Sequence, residues 1–312
     1  MSATWGAFSS LINVNELNEY VRHKAQEMMG YAQLCNPPTG GALGRKRGDT
    51  VQYTFYPNIS AAGGELTETE RVPRRSITPI KATYTIKEYG NSLDWTESVE
   101  ELSRLDSESD FIKALVDDLR KLDNELAFNE FEATDWFFVP NTSADEFDTD
   151  DSPSSTANDT FDHAKLRALA KRGEKNLIPK FDGENYVFIS GVDSVDAIAY
   201  DGTVTTALSN SGAGRSALNG EVGVLAGCRI VKDNHKATFI GGSASATLAL
   251  DKGHLVGADA VIHEIAAPPE LRAEDDDFGR FVAVAYLWRG CYKKILSQDT
   301  HSQEHVIKVA SA

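Results

Sequence analysis

The sequence predicts an α+β chain, on three observations. Two runs of period-two alternation, residues 51–56 (VQYTFY) and 79–89 (PIKATYTIKEY), flank a long charged connection. One sustained helical repeat follows, from about residue 108 to 131. Beyond it, short strand-like and helix-like patterns mix to the C-terminus without an internal repeat of fixed period.

The first 47 residues carry one helical piece, with Leu11, Val14, Leu17, Val21 and Ala25 at helical spacing. Pro37, Pro38, Gly40 and Gly41 then break it, so this part is expected to be an extended arm that needs another surface to lie on. From Asp49 the period changes to two. Val51, Tyr53 and Phe55 alternate with Gln52, Thr54 and Tyr56, and Ala82, Tyr84 and Ile86 alternate with Lys81, Thr83 and Thr85. The stretch between the strands, GGELTETERVPRRS, is far longer than the two to five residues that close a hairpin. It places Glu65, Glu68 and Glu70 ahead of Arg71, Arg74 and Arg75, an acidic half followed by a basic half. A two-stranded ribbon is marginal in water and its edges invite pairing. A solvated loop is one reading of the tip, and a docking arm ordered on a neighbouring subunit is the other.

Phe111, Leu115, Leu119, Leu122 and Leu126 then repeat at steps of four, four, three and four, with Asp117, Asp118, Lys121 and Glu125 turned outward. Core packing accounts for that stripe. Residues 141–160 are acidic and Ser/Thr-rich and are expected to form a mobile surface loop. A second helix follows with Leu166, Leu169 and Ala170 inward, then the strand 186–190 and a short helix at 192–200. Residues 215–234 are expected as a helix or turn leading into a strand at 228–231. Two strand-like runs lie within 247–265, and further strands are expected within 278–295 and 305–310.

Composition excludes several classes. No apolar run approaches the roughly 20 residues that cross a bilayer, and the N-terminus lacks the basic start and apolar middle of a secretory signal. Cys35, Cys228 and Cys291 are odd in number and widely spaced, so neither a disulfide framework nor a zinc site follows from them, and a reducing compartment fits. A net charge of −16, from 47 acids against 31 bases, disfavours sequence-specific DNA binding.

Catalytic motifs also fail their own requirements. His263-Glu264 begins like a helical zinc motif, but Ala267 stands where the second His belongs. Ser190-Gly191 lacks the leading Gly of a nucleophile elbow, and the Gly-rich run from Ser211 to Ala217 has no Lys-Ser/Thr pair. Asp275, Asp276 and Asp277 are consecutive and cannot all face one cation from a strand or helix. His235 and His254 have no partner at ligand spacing. No enzyme activity, cofactor or metal is expected.

The order of elements resembles the major capsid proteins of tailed bacteriophages, the Hong Kong 97 fold, and looks closest to the N4-like branch. The resemblance rests on the excursion RGDTVQYTFYPNISAAGGELTETERVPRRSITPIKATYTIKEYG, the helix around DFIKALVDDLRKLDNELAFNEF, the segment LNGEVGVLAGCRIVKDN and the ending DDFGRFVAVAYLWRGCYKKI. It implies an N-terminal arm at 1–47, an extended loop lying across a neighbour at 48–91, and a peripheral domain with a spine helix at 92–179. An axial domain at 180–275 and C-terminal strands returning to the central sheets at 276–312 complete it. The resemblance further implies self-assembly into hexamers and pentamers of an icosahedral head around double-stranded DNA bound without sequence specificity. Separate scaffolding, portal and decoration proteins would be partners, no membrane would be, and assembly would take place in a bacterial cytoplasm before the chain resides in the virion. Glu65, Glu68, Glu70, Arg71, Arg74 and Arg75 are the expected subunit-interface residues, with Arg71, Arg74 and Arg75 first candidates for ion pairs between subunits. The covalent Lys–Asn cross-link of some relatives is not carried over, because Lys81 has no identifiable Asn partner. An encapsulin-like nanocompartment shell shares the fold, and a soluble α/β enzyme is the reading from a different class.

Overall fold

The structure is a computed structural model. It describes residues 30–36, 50–56, 65, 68, 71–72, 74, 76–102, 107–151, 161–200, 221–233, 238–240, 249–298 and 303–311. The expected helical piece with Leu11, Val14, Leu17, Val21 and Ala25 lies outside these residues, as do Glu70, Arg75, His235 and the Gly-rich run at 211–217.

The long amphipathic repeat forms helix α2, Ser107–Glu132, after a short helix α1, Glu97–Leu102. At 1.5 Å per residue its 26 residues span about 39 Å. Leu115 is fully buried, and Phe111, Leu119, Leu122 and Leu126 pack against the same core cluster. Helix α3, His163–Lys175, starts at Asp162, whose carboxylate accepts from the Lys165 amide at 2.9 Å, and buries Leu166 and Leu169. Helix α4 is Val192–Tyr200.

Three sheets receive these helices. Strands β1 (Thr50–Phe55) and β2 (Ile80–Thr85) pair with each other alone as an antiparallel ribbon, with Val51 opposite Tyr84 and Tyr53 opposite Ala82. The second strand run splits at Ile86: β3, Lys87–Thr96, belongs to a different, three-stranded sheet of order β11-β12-β3. In it β11 (Val261–Asp276) and β12 (Phe281–Lys294) form a long hairpin, and β12 also pairs with β3. The third sheet has eight strands, in the order β5-β4-β13-β10-β6-β8-β7 with β9 on β10. Its members are β4 (Phe137–Val139), β5 (Glu146–Asp148), β6 (Tyr186–Ser190), β7 (Glu221–Leu225), β8 (Cys228–Lys232), β9 (Thr238–Ile240), β10 (Ala249–Val256) and β13 (Val306–Ser311). It is mixed, with β6–β8 and β13–β4 parallel.

Three local expectations are corrected. Residues 221–225, expected as a helix or turn, form a strand, and the turn is confined to Ala226 and Gly227, which take positive φ and send the chain back as a β7–β8 hairpin. Within the acidic stretch 141–160, residues 146–148 form β5, where Phe147 stacks its ring edge on Trp136 and the Arg172 guanidinium lies 4.0 Å over its face. The charged run ending at Asp276 is the outer half of β11. That strand accommodates Pro268 and Pro269 because it is an edge strand bulged between Ile265 and Glu270.

Two apolar clusters carry most of the core. One joins α2 to β3, β12 and the centre of the eight-stranded sheet through Trp95, Phe131, Val187, Val284 and Trp288. The other lies on the opposite side of that sheet, where Leu166, Leu169 and Ile198 cover Phe188, Leu255 and Ile307. Residues 30–36, within the expected arm of 1–47, are built into the chain's own body: Tyr31 and Leu34 are buried, and the Tyr31 amide donates to Asn124 Oδ1 at 2.9 Å.

Candidate assembly surface

The ribbon has one apolar and one polar face. Val51, Tyr53, Ala82 and Tyr84 share the first, while Gln52, Thr54, Lys81 and Thr83 share the second and are exposed. Burial along β2 rises toward the body, from half-buried Ile80 to buried Tyr84. There the root rests on a small cluster of Ile262, Cys291 and Ile295, with the Tyr53 and Tyr84 rings 5.6 Å apart. The Tyr84 hydroxyl donates to the Ile295 carbonyl at 3.4 Å, and the Tyr53 hydroxyl donates to Glu264 Oε1. Glu264 is only 1% exposed, and its other oxygen is buried without a partner. A cavity of about 430 Å³ lies beside this root, between Tyr84, Tyr89, Leu126, Glu130 and Tyr292. The described ribbon is therefore anchored at its root.

The described residues of its outer end lie outside the subunit's core clusters. Glu65, Glu68, Arg71 and Arg74 are exposed, and so are the apolar Tyr56, Val72 and Ile77, at 74%, 68% and 45%.

The three-stranded sheet offers a second surface. Trp95, Leu93 and Tyr89 on β3 and Val282, Val284, Tyr286 and Trp288 on β12 face α2, where the Tyr286 hydroxyl donates to Asp118 at 2.8 Å. Alternation turns the intervening residues to the other side. Cross-strand rows on that side run Glu270–Leu287–Gly90, Arg272–Ala285–Ser92, Glu274–Ala283–Asp94 and Asp276–Phe281–Thr96. Gly90 is required, since a Cβ there would stand 2.7 Å from Leu287 Cδ2 and 2.6 Å from the Tyr286 carbonyl oxygen. On this face Glu270, Arg272, Glu274, Asp276 and Ser92 are exposed, and Ala283, Ala285 and Leu287 are half-buried. At the far end of the β11–β12 hairpin, Asp277 and Phe278 take φ of 49° and 62°, and the Phe278 ring is wholly exposed. A bulky residue held in the left-handed region is an outlier.

Side chains singled out for chemistry have structural partners instead. His263 and Glu264 lie on strand β11, not on a helix; His263 stacks on Tyr292 at 4.1 Å, and burial lowers its pKa. The Tyr292 hydroxyl donates to Asp123 at 2.5 Å, and burial with the Asp123 charge pushes the phenol well up. Ser190 ends β6, where its hydroxyl donates to the Lys252 carbonyl at 3.2 Å. Asp276 caps the hairpin turn through the Asp277 amide, and Asp277 pairs with Arg280 at 3.2 Å. Burial raises the thiol pKa of Cys35, Cys228 and Cys291, to about 12 for Cys228 and about 11 for Cys291, so all three stay protonated and inert. Among the described residues no three His, Cys, Asp or Glu side chains are grouped to hold a metal, and no helix is long and apolar enough to cross a membrane.

One polar cluster escapes sequence reasoning. His254, fully buried on β10, meets the Tyr31 hydroxyl at 3.0 Å through Nδ1 and Glu132 at 3.3 Å through Nε2. Glu132 also accepts from Lys252 at 2.7 Å. Burial alone would raise the Glu132 pKa, but the hydrogen bonds and charges of His254 and Lys252 outweigh it and hold the carboxyl at about 2. The i, i+2 spacing of Lys252 and His254 on a strand puts both on one face, yet Glu132 and Tyr31 are remote in sequence.

No protein-family model matches the sequence, and no curated protein matches it. Solved structures do match it over nearly its whole length. The capsid of Ralstonia phage GP4 is similar with a TM-score of 0.68 at 13% identity, covering 96% of this chain and 95% of that one. The capsid structure of cyanophage P-SCSP1u gives 0.67 at 12% identity, covering 97% and 94%. The head structure of Helicobacter pylori bacteriophage KHP40 gives 0.68 at 11% identity, covering 95% of each. The chain has the fold of tailed-phage capsid proteins. These neighbours come from several phages and do not single out the N4-like branch.

Proposed function

We propose that this chain is a major capsid protein that self-assembles into the hexamers and pentamers of an icosahedral phage head. The observation that carries the reading is a two-stranded ribbon whose described contacts with its own chain lie at the root, on a fold shared over nearly the whole chain with phage heads. A two-stranded ribbon with exposed edges and an exposed charged tip gains its stability from burial against another copy. Many modest contacts repeated around a closed shell give collective strength without one tight site.

In this reading residues 1–47 act as an arm of which residues 30–36 are tied into the body, and 48–91 reach across a neighbour. Residues 92–179, with the stripe Phe111, Leu115, Leu119, Leu122 and Leu126, form the rigid peripheral part. Residues 180–275 form the axial part, and 276–312 close the sheets. The three-stranded sheet takes β3 from the junction of 48–91 and 92–179, β11 essentially from 180–275 and β12 from 276–312, so the chain segments are interleaved in space. Glu65, Glu68, Glu70, Arg71, Arg74 and Arg75 meet neighbouring subunits. Packaged double-stranded DNA touches the inner wall at low affinity, as a net charge of −16 requires. Scaffolding, portal and decoration proteins are separate chains, assembly occurs in the bacterial cytoplasm, and the product is the virion shell. Neighbours that are phage heads favour this over a nanocompartment shell of the same fold.

Size-exclusion chromatography and negative-stain microscopy of the purified protein, alone or with its scaffold, test the proposal. Capsomers or shells are expected. A stable monomer or small oligomer under every condition overturns it.

A further inference from the structure

We infer that Tyr31, His254 and Glu132 form a proton-sensitive latch, which holds residues 30–36 in the body of the subunit at neutral pH and releases them when His254 takes a second proton. The inference concerns the single chain and does not depend on the capsid reading. The seat of this segment is polar although it is buried. Asn124 Oδ1 accepts from the Tyr31 amide at 2.9 Å and from the Ala32 amide at 3.3 Å, and Asp233 Oδ2 accepts from the Gly30 amide at 2.8 Å. Asn124, Asp233 and His254 are all buried. The fit is close, since a Cβ on Gly30 would stand 2.7 Å from Ile189 Cδ1 and 3.0 Å from Asp233 Oδ2. Tyr31 adds a side-chain bond, its hydroxyl 3.0 Å from His254 Nδ1, with its ring edge-on to both His254 and Phe128.

The direction of that bond decides how the latch responds to protons. Glu132 Oε2 lies 3.3 Å from His254 Nε2, and a carboxylate does not face a nitrogen lone pair at that distance, so Nε2 carries the hydrogen of the neutral ring. Nδ1 is then the acceptor and Tyr31 the donor. Burial, with the charges of Asp233 and Glu132, pushes the Tyr31 phenol well up, so it keeps this hydrogen. A second proton on the ring goes to Nδ1 and turns two donors toward each other. The hydroxyl can rotate to accept, but its own hydrogen is then buried without an acceptor, since among the described residues it has no partner other than His254. A stranded buried donor costs about tenfold or more in the ratio of seated to released segment.

The other groups around the ring nearly cancel. Lys252 on β10 and Lys308, opposite His254 on β13, bring positive charge, while Glu132 on α2 and Asp233 just after β8 bring negative charge. Lys252 is paired with Glu132 at 2.7 Å, and Lys308 with Asp151. From β6 the residue opposite His254 is the apolar Ile189, and α2 otherwise presents the rings of Phe128 and Phe131. With the field close to balance, the Tyr31 bond settles where the extra proton is tolerated. The seated form has no place for it, whereas the released form opens the ring to water. Falling pH therefore favours release, in the range where histidines titrate.

Hydrogen exchange on the full-length protein at about pH 7.5 and about pH 5.5, corrected for the chemical exchange rate, tests this. The amides of Gly30, Tyr31 and Ala32 are expected to open about tenfold more at the lower pH, while those around Phe128 and Phe131 in α2 change less than about twofold. Tyr31→Phe is expected to open the same three amides about tenfold at the higher pH and to erase their pH dependence. His254→Asn, which cannot titrate, is expected to erase it as well. Thermal unfolding of each variant reports folding, and should His254→Asn fail to fold, Tyr31→Phe against the parent carries the test alone. Exchange at residues 30–32 that ignores pH in the parent overturns the inference, and so does opening of α2 in step with them. A pH dependence that survives Tyr31→Phe also overturns it and assigns the effect to another group, such as His263, whose amide donates to the Asn36 carbonyl.

Discussion

Replacing Tyr53 with Phe removes one oxygen from the ribbon and leaves its tilted ring contact with Tyr84 in place. That oxygen is the donor to Glu264, a carboxyl 1% exposed whose second oxygen is already buried without a partner. A hydrogen bond to a buried carboxyl is worth about 1.5–3 kcal/mol, and stranding the acceptor puts the loss at the upper end, about 2–3 kcal/mol. Urea denaturation of the subunit reads this value, and amide exchange across β1 and β2 locates it at the ribbon root. The same bond can be isolated by a cycle with Glu264→Gln, whose amide no longer carries a charge that needs the phenol. A coupling above about 1 kcal/mol between the two changes is expected, because the residues share one contact. Additivity within about 0.5 kcal/mol would refute the reasoning and leave the ribbon held by the apolar cluster alone.

Acid stability supplies a second prediction. Because the Glu132 carboxyl is held at about 2 in the folded chain, its contribution is complete above the ordinary carboxyl value of 4.5 and is lost as pH falls from there toward 2. Glu132→Gln is therefore expected to cost about 2–3 kcal/mol at neutral pH and to flatten the stability profile across that window, measured by melting temperature against pH. A profile parallel to that of the parent protein would show that Glu132 does not carry the acid sensitivity. Phe278→Gly is expected to stabilise the isolated subunit by about 1 kcal/mol, since glycine takes the left-handed region freely and the exposed ring loses no contact. A lower melting temperature in that variant would mean that the ring packs within its own subunit.

Elements whose own side chains declare a period were legible in the sequence. Helix α2 runs over Ser107–Glu132 against an expectation of about 108–131, because five apolar residues on one stripe fix both its face and its length. Strand β6 and helix α4 were equally plain, the one a short apolar run and the other about two and a half amphipathic turns. Strand β7 was not, because the five residues EVGVL alternate too briefly to outweigh the helical look of their neighbours. The outer half of β11 was hidden by two prolines and a run of charge, which an edge strand tolerates and a central one does not. At the candidate surface, the charged ribbon tip was visible because length and charge order are sequence properties. The charged outer face of the three-stranded sheet was not, since Asp94 and Glu274 are brought level only by the register of β3 and β11 on β12. Buried partners such as Glu264 for Tyr53 and Glu132 for His254 are likewise set by tertiary pairing between residues more than a hundred positions apart.

The ribbon's dependence on another copy is tested most directly by deleting residues 58–78 and comparing that variant with the full chain by thermal unfolding, size-exclusion chromatography and negative-stain microscopy. The full chain is expected to form capsomers or shells. The shortened one is expected to unfold cooperatively at nearly the same temperature while remaining unassembled, because the described tip residues are exposed and the core clusters lie elsewhere. A shortened chain that still builds particles, or one that loses cooperative unfolding, would contradict the account.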